Sequence, residues 1–175
     1  MDTSETYIKM CEKAEEIQTL WEPQNGGWVW CKLGEKYKTF DRVCLLNDDC
    51  EEGRHGHGAG CCPAYTTIAY KASGGNENFK GDHIWLPRQD QLQAIYASFR
   101  NENIADDAAP LDAIEVAGAF NDWLESFTKA KPYSWLNNPT DIRGWVQASM
   151  ERLWLAFLMK SLYSKVWNGT DWIQQ

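Results

Sequence analysis

The stretch Trp28-Val29-Trp30-Cys31-Lys32-Leu33, followed by Gly34-Glu35 and then by Tyr37 to Leu46, decides how the chain is read. The first run is rich in strand formers, and Gly34-Glu35 makes a turn. The second run alternates loosely, with Tyr37, Thr39, Asp41 and Val43 on one side and Lys38, Phe40, Arg42 and Cys44 on the other. Period-two runs of β-branched and aromatic residues around a short turn predict an antiparallel hairpin. Tyr65 to Tyr70 predicts a third strand, broken by Ser73-Gly74-Gly75-Asn76, and His83-Ile84-Trp85-Leu86 a short fourth.

Outside this block the period changes to that of a helix. Upstream, Tyr7, Met10, Cys11, Ala14, Ile17, Leu20 and Trp21 recur at three- and four-residue steps, which predicts one helix from about Glu5 to Leu20. Asp2 with Glu5 resembles a capping arrangement, and Pro23 with Asn25-Gly26-Gly27 ends the helix. Cys11 lies on the apolar stripe and reads as a small core residue.

Downstream, three helices are expected. Pro87 suits the first position of one whose apolar face carries Leu92, Ile95, Tyr96 and Phe99. After a polar linker at 101–110, Leu111, Ile114, Ala117, Phe120, Leu124 and Phe127 give a second, ending near Lys129-Ala130-Lys131-Pro132. The third starts near Thr140 or Asp141 and ends near Lys165, and its run Leu153 to Met159 is apolar nearly all round. Asn168-Gly169 then turns the chain into a short Trp-flanked tail.

Strands segregated from helices predict an α+β fold. Its small antiparallel sheet has three to four strands, is preceded by one helix, and is packed with three C-terminal helices. The 175 residues suit a single domain, 1–175, whose lobes would be 1–90 and 91–175.

Composition narrows the function classes. The net charge is −8 and no basic run of five residues exists, which argues against nucleic-acid binding through phosphate. No apolar stretch approaches the length of a membrane span, and the N-terminus has no basic and apolar leader, so a cytoplasmic protein is expected. Ten tryptophans, at 21, 28, 30, 85, 123, 135, 145, 154, 167 and 172, are the outlier. Large aromatics mostly build a core, but Trp28 and Trp30 share one strand face with Lys32 and form a candidate platform, for a partner or for stacked single-strand bases. Trp154 and Phe157 are a second candidate partner-binding pair on the last helix.

Cys44, Cys50, His55, His57, Cys61 and Cys62 fall within nineteen residues, spaced C-x5-C-x4-H-x-H-x3-C-C. Thiolate and imidazole are the ligands zinc prefers, so a structural zinc is one reading. A metal-dependent enzyme drawing also on His83 and on Asp82 or loop acids is another. Cys61 or Cys62 paired with His83 would make a nucleophile. Against all three stands a glycine-rich loop of free side chains, since the spacing matches no zinc ribbon and Cys61-Cys62 point apart in extended chain. Gly56-x-Gly58-x-Gly60 lacks the lysine and the strand-to-helix context of a phosphate loop.

Three segments carry a resemblance. They are Tyr7 to Gln18 with Leu20-Trp21-Glu22-Pro23; Ile84-Trp85-Leu86-Pro87-Arg88-Gln89-Asp90-Gln91-Leu92-Gln93; and Leu153 to Lys160 with Lys165-Val166-Trp167-Asn168-Gly169 and Trp172. As a set they resemble a family of small uncharacterised proteins encoded by bacterial phages and prophages. The resemblance implies no activity and no catalytic residue. Small size, acidity, many tryptophans and no complete catalytic signature point to a non-enzymatic accessory protein that binds a host or phage protein, and the resemblance suggests roles such as modulating host defence or replication without selecting one. The resemblance also implies that Trp85, Leu86 and the Leu153–Trp172 end are structural anchors.

Overall fold

The structure is a computed structural model that describes residues 1–24, 26–31, 43–46, 81, 83–103, 109–129 and 148–175. It is α+β, and it resolves into two compact units, Thr3–Pro87 and Arg88–Gln175, the latter joined by Met1–Asp2. The boundary falls between Pro87 and Arg88.

The Thr3–Pro87 unit opens with α1 (Glu5–Lys13), where Ser4, not Asp2, is the N-cap, its Oγ accepting from the Tyr7 N–H at 3.2 Å. Tyr7, Met10 and Cys11 are buried on one face, and an exposed Glu5–Lys9 pair at 2.7 Å lies on another. The expected single helix is in fact two: at Ala14 (φ −88°, ψ 67°) the backbone leaves helical geometry and α2 (Glu15–Thr19) follows. Nothing in local propensity asks for this, since alanine is the best helix former. The reason is tertiary and lies in what Gln18 bonds.

The sheet has the order β2-β1-β3, with β1 (Trp28–Cys31) central and antiparallel to β2 (Val43–Leu45) and β3 (His83–Trp85). Trp28 stands opposite Leu45, Val29 opposite Cys44 and Trp85, and Trp30 opposite Val43 and Ile84. The pairing of β1 with β2 is the expected hairpin partnership. It is extended by Leu46 N–H to Gly27 O at 2.8 Å and Gly26 N–H to Leu46 O at 2.7 Å. Gly26 has φ +80°, a conformation that side-chain-bearing residues rarely adopt. The expected strand Tyr65–Tyr70 lies outside the described residues.

On β3 the main chain of Trp85 points away from β1. Edge groups left so need partners. Gln18 supplies both: its Nε2 donates to Trp85 O at 3.0 Å and its Oε1 accepts from Trp85 N–H at 2.9 Å. The break at Ala14 sets α2 where this amide reaches the edge. Below it the buried Tyr7 hydroxyl donates to Pro87 O at 2.5 Å, tying α1 to the end of the strand segment. Trp85 and Leu86, expected to be anchors, are buried.

In the second unit α3 (Gln89–Glu102) begins two residues later than the proline rule suggests. Arg88 is extended (φ −76°, ψ 164°) and is the N-cap, so Pro87 precedes the cap rather than opening the helix. Gln91 Oε1 accepts from the Arg88 N–H at 2.9 Å, half of a capping box. Arginine has no acceptor for the other half. Its guanidinium instead makes two bonds to Asp90, Nε to Oδ1 at 2.9 Å and Nη2 to Oδ2 at 2.8 Å.

Arg88 holds the Asp90 carboxyl below the usual carboxylate range. A depressed folded-state pKa contributes stability above the unfolded value and loses it as pH falls through the folded one. Both groups are largely exposed, so the pair contributes only about 0.5 kcal/mol. Melting temperatures of the wild type and Asp90→Asn should therefore converge as pH falls below about 4 and separate by a degree or two at neutral pH. Identical curves throughout would contradict the pairing.

Helix α4 (Ala113–Lys129) has a reciprocal cap: Asp112 Oδ1 accepts from Ile114 N–H at 2.8 Å and Glu115 N–H at 2.9 Å, while Glu115 Oε2 accepts from Asp112 N–H at 2.9 Å. Its buried residues are Val116 and Phe120, with Trp123 and Leu124 half-buried. The expected stripe through Ile114 and Ala117 is thus corrected, for both are exposed. Positions spaced by three and four form overlapping stripes that share Phe120 and Leu124, and the one through Val116 faces inward.

Helix α5 (Met150–Tyr163) starts well after the expected Thr140 or Asp141. Ser149 is extended and caps it, Oγ accepting from Arg152 N–H at 3.2 Å. The Ser149 hydroxyl donates to Asp2 Oδ2 at 2.6 Å, which also accepts from Arg152 Nε at 2.8 Å. Residues 130–147 lie outside the described set. The run Trp154 to Met159 is buried on every side, as its all-round apolarity suggests.

The C-terminal tail is a hairpin, β4 (Lys165–Trp167) with β5 (Trp172–Gln174). Asn168 Oδ1 accepts from the N–H groups of Thr170 and Asp171, both at 2.9 Å, and Gly169 takes φ +106°. Asn-Gly between tryptophans was a readable hairpin signal. Trp167 and Trp172 meet edge to face at 5.2 Å across it.

The core of this unit is aromatic. Trp154 and Phe120 stack at 4.2 Å and 9°, and Phe157 sets its edge against both, at 5.4 and 5.6 Å. Tyr96 from α3 closes on Phe157 at 4.7 Å. Among the described residues no helix is long and apolar enough to cross a membrane.

Candidate protein-binding face of the sheet

The two faces of the sheet differ. On β1 the side chains alternate, so Val29 goes one way and Trp28 and Trp30 the other. Val29 is fully buried and the residue opposite, Trp85, is 6% exposed, so this side belongs to the core. Trp28 and Trp30 are half-buried. Opposite them on β2 stand Leu45, 50% exposed, and the half-buried Val43. On the other flank Ile84, opposite Trp30, is buried.

The result is a strip of large apolar side chains seated in the sheet yet partly open. The ladder fixes its backbone, so the rings would lose little freedom on contact. Two tryptophans with a leucine and a valine beside them suit binding by shape and burial rather than by bond-making chemistry. Trp28 and Trp30 were legible as a pair from period two. Val43 and Leu45 continue the alternation of the Tyr37 to Leu46 run, but spacing alone does not set them opposite Trp30 and Trp28; the strand register does.

The other sequence candidates fall elsewhere. Trp154 and Phe157, read as a partner-binding pair, are 1% and 2% exposed and lie inside the aromatic core of the second unit. Their packing against Phe120 and Tyr96 takes them off the accessible surface. Of the Cys/His segment only the Cys44 backbone is described, in β2 opposite Val29. Cys50, His55, His57, Cys61 and Cys62 lie outside the described residues, as do Lys32 and Asp82. His83 is 3% exposed within β3, opposite Cys31 in register. Cys11 is a buried thiol on α1. Among the described residues no three His, Cys, Asp or Glu side chains gather closely enough to hold a metal ion. No protein-family model, curated protein or solved structure matches this chain.

Proposed function

We propose that the chain is a non-enzymatic accessory protein of phage or prophage origin that acts in the bacterial cytoplasm by binding a host or phage protein through the open face of its sheet. The observation that carries this reading is the strip of Trp28, Trp30, Val43 and Leu45, apolar and partly exposed on a hydrogen-bonded scaffold. Tryptophan is enriched among interface anchors because one rigid ring buries a large area at small entropic cost. The resemblance of the Tyr7–Pro23, Ile84–Gln93 and Leu153–Trp172 segments to phage and prophage proteins supports the setting and suggests modulation of host defence or replication. The charge of −8 favours a protein partner over stacked single-strand bases on the same rings.

The test uses the purified chain as bait in bacterial extract beside Trp28→Ser and Leu45→Ser. A protein retained by the wild type is then purified and titrated. Trp28→Ser should weaken binding by about thirtyfold, the effect of losing an anchor of about 2 kcal/mol. Leu45→Ser should weaken it less, and a short oligonucleotide should not compete. Affinities within twofold of the wild type for both variants would refute the assignment of the face.

A further inference from the structure

We infer that the outward face of α4 is a second docking surface, separate from the sheet face, and that its occupant is an amphipathic helix flanked by Lys or Arg. At 100° per residue, Ile114 and Gly118 lie on the side of the helix opposite Val116 and Phe120, which are buried. Ile114 is 80% exposed, more than any other large apolar side chain among the described residues. One turn on, Gly118 sits in the helix interior, where glycine weakens a helix relative to alanine. A Cβ there would meet nothing within 4 Å, so no neighbour within the described chain requires its absence. A bare backbone beside an exposed isoleucine is what lets a second helix approach closely.

Charge selects the occupant. The only Lys or Arg of α4 is its last residue, Lys129, whereas Glu115, Asp122 and Glu125 are all exposed, Glu115 and Asp122 along one edge of the Ile114–Gly118 strip and Glu125 in line with it. A second copy of α4 would bring the same carboxylates against these and be repelled, and nucleic acid would be repelled likewise. A helix that places apolar residues on Ile114 and basic ones beside the acids matches in both respects.

The probe is a labelled synthetic peptide of about five helical turns, with Leu and Ala on one face and Lys on its flanks, titrated by fluorescence anisotropy against the full chain. Ile114→Ser and Gly118→Leu should each weaken binding by about tenfold or more, the first by removing the knob and the second by blocking close approach. Asp122→Lys should weaken it further than Glu15→Lys, an equal charge change on α2. Binding unchanged by Ile114→Ser and Gly118→Leu, or weakened equally by Glu15→Lys and Asp122→Lys, would overturn the inference by showing unspecific charge attraction. Melting curves guard against misfolding. Both Ile114→Ser and Gly118→Leu should melt no lower than the wild type, and a clear fall for Ile114→Ser would overturn the inference by showing that the chain itself covers this face. Self-association of the wild type that Ile114→Ser abolishes would also overturn it, in favour of a second copy.

Discussion

Trp154→Ala is expected to lower the unfolding free energy by about 3–5 kcal/mol, while Trp154→Phe should cost only about 1 kcal/mol. Trp154 is 1% exposed, lies flat on Phe120, and receives the edge of Phe157. Alanine removes the ring that both phenylalanines pack on and leaves a hole that α5, buried from Trp154 to Met159, cannot close by a small shift. Phenylalanine keeps an aromatic face for Phe120. It also removes a buried cost, because Trp154 Nε1 has no acceptor among the described residues. A donor that leaves water without replacement is unfavourable, and deleting it offsets part of the lost area. Urea unfolding of the three proteins measures this. Equal losses for both variants would mean that an aromatic face at this position is not what supports Phe120 and Phe157, and a loss below about 1 kcal/mol for alanine would contradict the aromatic core.

Gln18→Leu should cost about 2 kcal/mol, although leucine matches glutamine in size and helix propensity. The glutamine amide is at once the donor to Trp85 O and the acceptor from Trp85 N–H. Leucine leaves two edge groups of β3 unpaired, each costing about 1–3 kcal/mol when buried and less where water can enter. Gln18→Glu separates the two bonds: a carboxylate still accepts from the N–H but faces Trp85 O with no donor. It should fall between the wild type and leucine. Amide exchange at Trp85 gives a local readout, expected to quicken markedly in Gln18→Leu. An unchanged rate would show that the edge is held by something else.

These two sites show what the sequence could and could not disclose. The Trp28-Val29-Trp30 alternation was enough to place β1 and its antiparallel partner, because period two leaves few other structures. The all-round apolarity of Leu153 to Met159 likewise announced a helix buried on every side. The break at Ala14 was not legible, since local preference favours continuing the helix and the bonds of Gln18 to Trp85, sixty-seven residues from that glutamine, are long-range. Ile114 was misread for a different reason. Its spacing to Leu111 and Ala117 fits a buried stripe as well as Val116 and Phe120 do, and periodicity does not say which stripe faces inward. The hairpin at Asn168-Gly169 carried its own turn signal and was undervalued because strands of three residues show no alternation. As for the candidate site, the tryptophan pair on β1 was readable from spacing. Whether Trp154 and Phe157 lay outside or inside was not, because an aromatic on an apolar helix suits an interface and a core equally.

The most direct measurement is hydroxyl-radical footprinting of the full chain, alone and saturated with a partner protein retained from bacterial extract. In the free chain Trp28, Trp30 and Leu45 should oxidise readily while Trp154 and Phe157 stay silent. On saturation the first three should be protected several-fold and the last two unchanged. Oxidation of Trp28, Trp30 and Leu45 at the same rate in both states would contradict a protein-binding role for the sheet face.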